Sequence, residues 1–274
     1  MCFSKMITNA WTNNKSMVCV GLDPDPAKIP HFFSDSSESI FEFNKAIIDA
    51  TSDLVCAYKL QIAYYSAYGL EDQLLKSIEY IHEHAKWVPA ILDSKRGDIG
   101  STAQMYAKEA FVRYNADAVT ANPFLGLDSL KPFLDHEDKG VFVLCRTSNP
   151  GGSQLQDFPS PDNPLYLHIA RTAEKSWNYN NNVGLVAGAT YPEELQQIRS
   201  LVPTMPLLIP GIGFQGGDLE SSVTAGIDED GMGIIINSSR GIIYAGKDAD
   251  FAEKSRAATL DLRDKINAVI ETRQ

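Results

Sequence analysis

Short apolar segments alternate with longer amphipathic segments along nearly the whole chain. The short segments are mostly rich in Val or Ile, as expected of strands buried on both faces. They lie at residues 17–22, 54–58, 88–92, 117–121, 141–145, 183–187, 206–210 and 232–236. The longer segments, whose pattern predicts helices, lie at residues 36–52, 63–86, 101–115, 127–136, 162–179, 192–201, 217–226 and 249–273. This alternation predicts parallel βαβ units and a closed (β/α)8 TIM barrel of the α/β class rather than an open doubly wound sheet.

Several helix starts are visible in the sequence. Asp35 with Glu38, and Thr190 with Glu193, have the three-residue spacing of a capping box. Pro192 suits the first turn of a helix, because that turn needs no donor from its backbone nitrogen. The segment before the first strand lacks the apolar core of a signal peptide and predicts a short N-terminal helix.

Composition narrows the class of protein and its partners. The 274 residues include 24 Lys plus Arg and 35 Asp plus Glu, so the formal net charge is −11. Such an acidic chain is not suited to nonspecific binding of nucleic acid or of anionic membranes. No apolar run approaches the ~18 residues that a membrane-spanning helix needs. No linker or low-complexity tract divides the chain, so we expect residues 1–274 to form a single barrel domain.

The cysteines and histidines are scattered along the chain. The four Cys have no CxxC spacing, and neither they nor the five His form a cluster, which argues against a disulfide framework or a zinc site. Cys19, Cys56 and Cys145 lie in apolar runs, where a free Cys packs as a small hydrophobic residue. We therefore expect no metal cofactor and a reducing, cytoplasmic compartment.

Charged residues follow the first three apolar runs at the end where a barrel carries its chemistry. Asp23 follows the first run, Lys59 the second, and Asp93 and Lys95 the third. Because the carboxyl ends of parallel strands form one rim of a barrel, these side chains are expected to meet. Burying two lysines and two aspartates together costs desolvation free energy that stability alone rarely calls for.

The segment 91–102 (ILDSKRGDIGST) is the most informative stretch. Asp93 and Lys95 are two apart at a strand end, so both side chains can point the same way. Asp98 lies where the chain enters the next helix, and Thr102 is four residues on, which predicts a shared helix face. The simpler alternative is that Asp98 only caps the helix and that Asp93 and Lys95 only form an ion pair.

Alternating lysines and aspartates favour acid catalysis. Carboxylates beside Lys95 would keep it protonated. A protonated, oriented ammonium can stabilise a developing carbanion and then donate a proton to it. A Schiff-base lysine would instead need a depressed pKa and a more apolar pocket.

A second cluster lies in GIGFQGGD (211–218) and NSSRGI (237–242). Barrels commonly bind phosphate with the loops after strands 7 and 8 and a helix N-terminus, and Arg240 could hold a phosphate through two hydrogen bonds. Plain turns and a surface Arg are the alternative. The segment 147–163 is a long loop rich in Gly, Pro and Ser, which is typical of a lid or binding loop but also of a surface excursion.

The sequence resembles the orotidine 5′-phosphate decarboxylase family, in a bacterial subgroup form of its Asp-x-Lys-x-x-Asp signature. The resemblance spans nearly the whole chain. It is carried by ILDSKRGDIGSTA (91–103), GLDPD (21–25), YKLQ (58–61), RTSNPGG (146–152), GATYPEEL (188–195), PGIGFQGGD (210–218) and NSSRGIIYA (237–245). It implies conversion of orotidine 5′-monophosphate to uridine 5′-monophosphate, the last step of de novo pyrimidine nucleotide synthesis, without a cofactor.

The resemblance also implies roles for the charged residues. Lys95 would protonate C6 of the pyrimidine after carbon dioxide leaves, and Asp93 would lie against the substrate carboxylate. Lys59 and Asp98 would complete the charged array. Asp98 and Thr102 would act across a homodimer interface, in the partner's site.

Further residues would bind the nucleotide. Asp23 and Lys59 would contact the ribose hydroxyls, and Ser148 would touch the pyrimidine amide from a lid formed by the loop 147–163. Gln215 and Arg240 would hold the 5′-phosphate.

Three rival functions remain open on the sequence alone. A sugar-phosphate decarboxylase or aldolase on the same barrel type would use Mg²⁺ to stabilise an enediolate. A Schiff-base aldolase would use Lys95 or Lys59 as a nucleophile. A barrel that binds phosphate without catalysis is the third.

Overall fold

The computed structural model is described here for residues 1–33, 36–160, 162–212 and 218–273. Over these residues, eight parallel strands close into one barrel, in which each strand pairs with the next and the last pairs with the first. The strands are β1 (Val18–Gly21), β2 (Ala57–Gln61), β3 (Ala90–Arg96), β4 (Ala118–Ala121), β5 (Gly140–Arg146), β6 (Val183–Ala187), β7 (Leu207–Pro210) and β8 (Ile234–Ser238). The predicted (β/α)8 fold is confirmed.

Helices connect the strands and cover the barrel. They are α1 (Phe3–Asn14), α2 (Ser39–Thr51), α3 (Ile62–Ser66), α4 (Glu71–His84), α5 (Gly100–Lys108), α6 (Leu127–Leu134), α7 (Ser153–Gln156), α8 (Leu165–Thr172), α9 (Pro192–Leu201), α10 (Leu219–Gly226), α11 (Arg240–Ile243) and α12 (Phe251–Glu271). Single π-helical turns follow α5 and α8. No helix of the described residues combines the length and apolar character needed to cross a membrane.

The core consists of the apolar strand residues and the helix faces packed on them. The Val, Ile and Leu side chains of the strands are almost all inaccessible to solvent, as expected for parallel strands covered on both faces. The predicted N-terminal helix is present as α1, and it contacts the chain near the amino-terminal ends of β2 and β5. Its Phe3 ring meets the Phe142 ring edge-on at 5.6 Å, and Asn14 binds the carbonyls of Ser52 and Val55 ahead of β2.

Strand boundaries differ most from the prediction in β2 and β3. The apolar run 54–58 places a strand too early, because β2 begins at Ala57 and Lys59 lies in its middle, opposite Gly21 and Ile91. β3 extends four residues past the predicted end, to Arg96. Charged residues interrupt the apolar pattern of these two strands, so the pattern does not show their true bounds.

The helix predicted over 63–86 is two helices. The chain turns between α3 and α4, where Gly69 has a φ of +67°, a conformation that glycine adopts without steric cost. Amphipathic spacing continues across this turn, so it does not reveal the break.

The structure confirms one of the predicted helix starts and contradicts another. α9 begins at Pro192, which confirms Pro192 in the first turn. The capping box of Thr190 and Glu193 is wrong: Tyr191 precedes the helix, and Thr190 Oγ1 is buried with no hydrogen-bond partner among the described residues. Glu38 directly precedes α2 and Asp35 lies outside the described residues.

Candidate active site

Four charged side chains form a chain of contacts at the carboxyl ends of β1 to β3. Lys59 Nζ lies 2.9 Å from Asp93 Oδ2 and 3.6 Å from Asp23 Oδ1. Lys95 Nζ lies 2.6 Å from the other Asp93 oxygen, Oδ1. We call Asp23, Lys59, Asp93 and Lys95 the charged array. Its signs alternate along the rim, so each carboxylate faces a cation.

The array is buried at one end and open at the other. The side chains of Lys59 and Asp93 are only 7% and 8% exposed, whereas that of Lys95 is 45% exposed. Asp23 also accepts a hydrogen bond from the Gln61 backbone N–H at 3.0 Å. Lys95 is therefore the member of the array that incoming molecules can reach most easily.

The buried pair is held in its ionised form by mutual attraction. Burial alone would lower the pKa of Lys59, but the carboxylates of Asp23 and Asp93 outweigh burial and raise its pKa. Burial alone would raise the pKa of Asp93, but the ammonium groups of Lys59 and Lys95 outweigh it and lower its pKa. Both groups are thus charged at neutral pH.

Lys95 sits on an irregular stretch of β3. The pairing of β3 with β4 is regular up to Leu92, opposite Val119, and resumes only at Arg96, opposite Ala121. Lys95 has a φ of +47°, in the left-handed region that residues with a side chain rarely adopt. The predicted proximity of Asp93 and Lys95 is confirmed, but it comes from this bulge rather than from the regular alternation of a strand.

Among the described residues, no hydrogen bond or ion pair joins Asp98 or Thr102 to the charged array of their own chain. Asp98 accepts a hydrogen bond from the Ile99 N–H at 2.8 Å and makes no ion pair with the residues described. Helix α5 begins at Gly100 after Ile99, so the prediction that Asp98 and Thr102 share a helix face is wrong, because Asp98 precedes the helix. Thr102 is exposed in the first turn of α5. Their predicted role across an interface stays a prediction.

A cavity of about 870 Å³ opens beside the array, between the ends of β1, β7 and β8. Asp23 lines it together with Gly211, Ser239 and Arg240. Gly21 and Ser239 are in close contact, since a Cβ on Gly21 would lie 2.7 Å from the Ser239 Cβ. Arg240 opens α11 at the exposed side of this cavity. Gln215, predicted to bind phosphate with Arg240, lies outside the described residues.

The loop after β5 is tied to the rim by a buried arginine. Arg146 donates to both carboxylate oxygens of Glu194 at the start of α9 and to Gln156 Oε1 at 3.2 Å. The same Gln156 oxygen accepts from the Thr147 backbone N–H at 2.9 Å. Half-buried Ser148 is thereby held beside the end of β6, where a Cβ on Gly188 would lie 2.8 Å from its nitrogen.

Two residues of this region were not predicted from sequence. Thr120 contacts both Asp93 and the backbone of Lys95, and Arg146 anchors the loop that carries Ser148. A threonine in the apolar run DAVTA gives no signal by itself. Arg146 directly follows the apolar run 141–145, but its partner Glu194 is 48 residues away in the chain.

The described residues contain no group of three or more His, Cys, Asp or Glu side chains placed to hold a metal ion. All four cysteines are free. The charged array itself alternates cations with anions, so its carboxylates already have lysine partners.

Comparison with known proteins agrees with this geometry. The profile described as "Orotidine 5'-phosphate decarboxylase / HUMPS family" matches residues 16–255. An orotidine 5′-phosphate decarboxylase of Ralstonia pickettii is 55% identical over 267 residues, which cover 97% of this chain and 98% of that protein. One of Azoarcus sp. is 54% identical over 268 residues, covering 98% and 99%.

A solved structure shows the same fold. The OMP decarboxylase of Leishmania donovani superposes with a TM-score of 0.85 at 39% identity, covering 98% of this chain and 99% of that one. The predicted fold and the predicted class of enzyme, a decarboxylase, are confirmed. The chain belongs to the orotidine 5′-phosphate decarboxylase / HUMPS family.

Proposed function

We propose that this chain decarboxylates orotidine 5′-monophosphate to uridine 5′-monophosphate, a step of pyrimidine nucleotide synthesis. One observation carries the proposal: the accessible Lys95 ammonium lies 2.6 Å from Asp93, whose other oxygen is held by the buried Lys59. A cation fixed in this way can meet negative charge as it develops on a ring carbon. Relatives named orotidine 5′-phosphate decarboxylase at 52–55% identity support the choice of substrate.

In the proposed reaction, the bond between C6 and the carboxylate carbon breaks and its electron pair stays on C6. Carbon dioxide leaves, and Lys95 Nζ donates a proton to C6 to give the product. A proton from solvent then restores the ammonium. Asp93 lies against the substrate carboxylate and holds Lys95, and Lys59 keeps Asp93 ionised and in place. Preorganised charges of this kind need little reorganisation during the reaction.

Other residues of the rim would bind the parts of the nucleotide that lie away from the reacting carbon. Asp23 and Lys59 would contact the ribose, and Arg240, across the cavity from the array, would bind the 5′-phosphate with Gln215. Ser148 would contact the pyrimidine amide. Binding free energy from the phosphate can be used to close the loop 147–163 over the base.

The proposed chemistry uses no metal or organic cofactor, which separates it from two rivals. A Mg²⁺-dependent decarboxylase or aldolase would lose activity in EDTA, and a Schiff-base aldolase would be trapped by borohydride at Lys95 or Lys59. The test follows the absorbance of orotidine 5′-monophosphate with the purified chain, with and without EDTA. We expect turnover that EDTA leaves unchanged and that Lys95→Ala abolishes. Absence of turnover by the intact chain would favour a barrel that only binds phosphate.

We also propose that the chain acts as a homodimer with Asp98 and Thr102 reaching the partner's site. Exposed apolar residues surround these two positions. Gly97 and Asn122 touch, since a Cβ on Gly97 would lie 3.1 Å from the Asn122 Cβ, so the loops after β3 and β4 lie side by side. The resulting apolar patch consists of Ile99, Met105, Val112, Phe124, Leu125 and Leu127, which are between 38% and 72% exposed. Apolar clusters of this kind mark interaction surfaces.

Mixing inactive variants tests this arrangement. Asp98→Ala and Lys95→Ala should each be inactive, but a mixed dimer would contain one site with neither change. We expect activity to return when the two variants are unfolded together and refolded. Phe124→Asp should give monomers in sedimentation, while Leu260→Asp, on α12, should not. Activity that fails to return in mixed dimers would place Asp98 in its own chain's site or in none.

We place the reaction in the cytoplasm. The support is chemical: Cys19, Cys56 and Cys145 are buried free thiols, as is usual in a reducing compartment. The substrate is a small nucleotide, and the formal net charge of −11 disfavours nucleic acid and anionic membranes as partners.

A further inference from the structure

The bulge at Lys95 leaves β3 and β4 mismatched. Between the regular pairs Leu92–Val119 and Arg96–Ala121, three residues of β3 face the single residue Thr120 of β4. A bulge interrupts the ladder of backbone hydrogen bonds, so it leaves backbone groups without strand partners. Here one of these groups belongs to Lys95, the residue with the left-handed backbone.

The Thr120 hydroxyl takes the place of the missing backbone partner. Thr120 is 1% exposed, and its Oγ1 accepts a hydrogen bond from the Lys95 backbone N–H at 2.9 Å. The hydroxyl proton is donated to Asp93 Oδ1 at 2.8 Å. This is the same carboxylate oxygen that Lys95 Nζ contacts at 2.6 Å. A single hydroxyl therefore joins the backbone of Lys95 to the carboxylate that orients its ammonium.

Both bonds act on the geometry of the reacting cation. A left-handed residue other than glycine is strained and persists only where its surroundings hold it. Asp93 Oδ1 accepts from Lys95 and Thr120, and Oδ2 accepts from Lys59. With donors on both oxygens, rotation of the carboxylate is restricted. We infer that Thr120 is a positioning residue, which keeps the Lys95 bulge and the Asp93 carboxylate in register for proton transfer to the substrate.

This inference rests on the proposed decarboxylation, and it is tested by removing the hydroxyl while keeping the shape. In Thr120→Val both hydrogen bonds are lost, whereas Thr120→Ser retains the donor and acceptor. A hydrogen bond to a charged group is worth enough to change a rate by about 10- to 100-fold. We expect kcat of Thr120→Val to fall by this factor and that of Thr120→Ser to stay within about threefold of wild type.

Product binding separates positioning from a general loss of structure. Uridine 5′-monophosphate lacks the carboxylate that Asp93 and Lys95 face, so its Kd should be the same in wild type and Thr120→Val. Thr51→Val is the matched control: Thr51 is also buried, and its hydroxyl bonds to Ile47 O at 2.7 Å and lies 2.8 Å from the Tyr58 hydroxyl. That variant should lose stability but keep kcat.

Three results would overturn the inference. One is wild-type kcat in Thr120→Val, another is an equal loss in Thr120→Ser, and the third is a loss of product affinity that matches the loss of kcat. Thr120→Ala replaces Thr120→Val if the valine variant does not fold.

If the wild-type chain turns over no substrate, the proposed function fails and the inference is judged on geometry. Crystal structures of wild type and Thr120→Val should then differ in the φ of Lys95 or in the separation of Lys95 Nζ and Asp93 Oδ1. Identical geometry in the two proteins would refute the positioning role.

Discussion

Removing the charge of Lys59 should destabilise the fold as well as stop the reaction. Lys59→Met keeps most of the side-chain volume but leaves the buried Asp93 carboxylate with Lys95 as its remaining cation. Lys59 Nζ lies 2.9 Å from Asp93 and 3.6 Å from Asp23. At an effective dielectric constant of about 20, each contact amounts to roughly 5 kcal/mol before desolvation is subtracted.

The net loss is smaller, because desolvation offsets much of this attraction. Removing one partner of a buried ion pair typically costs about 3–5 kcal/mol. We expect a value near the lower end, about 3 kcal/mol, since Lys95 still neutralises Asp93. Urea unfolding at neutral pH, followed by circular dichroism, measures the free energy of unfolding. The double variant Lys59→Met/Asp93→Asn should recover part of the loss, because it removes the buried carboxylate left unpaired.

A surface ion pair of equal length provides the control. Lys254 Nζ lies 2.9 Å from Asp250, but both side chains are nearly half exposed. Lys254→Met should therefore leave stability almost unchanged, because solvent screens such pairs. Equal stability of Lys59→Met and Lys254→Met would refute the claim that burial gives the Lys59 contacts their strength.

Three further predictions concern pH and the loops around the site. The low pKa of Asp93 in the folded state stabilises the fold fully above the ordinary carboxyl pKa of about 3.9, and this stabilisation is lost as the pH falls through the folded-state pKa. In urea unfolding, the loss of stability between pH 5 and pH 3 should therefore be smaller for Asp93→Asn than for wild type. Arg146→Met removes the bonds to Glu194 and Gln156, so it should cost roughly 2 kcal/mol and speed proteolytic cleavage within residues 147–160; an unchanged cleavage rate would contradict the anchoring role. Tyr244 lines the same cavity as Asp23 and Arg240, and its hydroxyl accepts a hydrogen bond from the Asp25 N–H at 2.7 Å. Tyr244→Phe loses this bond at the edge of the binding cavity, so it should raise KM by up to about tenfold in steady-state assays with little change in kcat.

The regular elements were predictable where local pattern and tertiary structure agree. β6 and α9 have the predicted bounds, because the run VGLVA is wholly apolar and Pro192 marks the start of its helix. β2 and β3 were misplaced because Lys59, Asp93 and Lys95 interrupt their apolar pattern. The same charged residues that identify the site therefore obscure the strands that carry it.

The sequence by itself determined the alternation of strands and helices, the barrel, and which charged residues follow its first three apolar runs. These properties depend on short stretches of the sequence, because the spacing of apolar residues there sets which face of each element is buried. Tertiary structure alone decided that Lys59 Nζ lies 2.9 Å from Asp93 and that the backbone of Lys95 is left-handed. It also decided that Thr120 joins the Lys95 backbone to the Asp93 carboxylate. Such contacts depend on the register between neighbouring strands and on closure of the barrel, and the residues that make them lie up to 34 positions apart in the sequence.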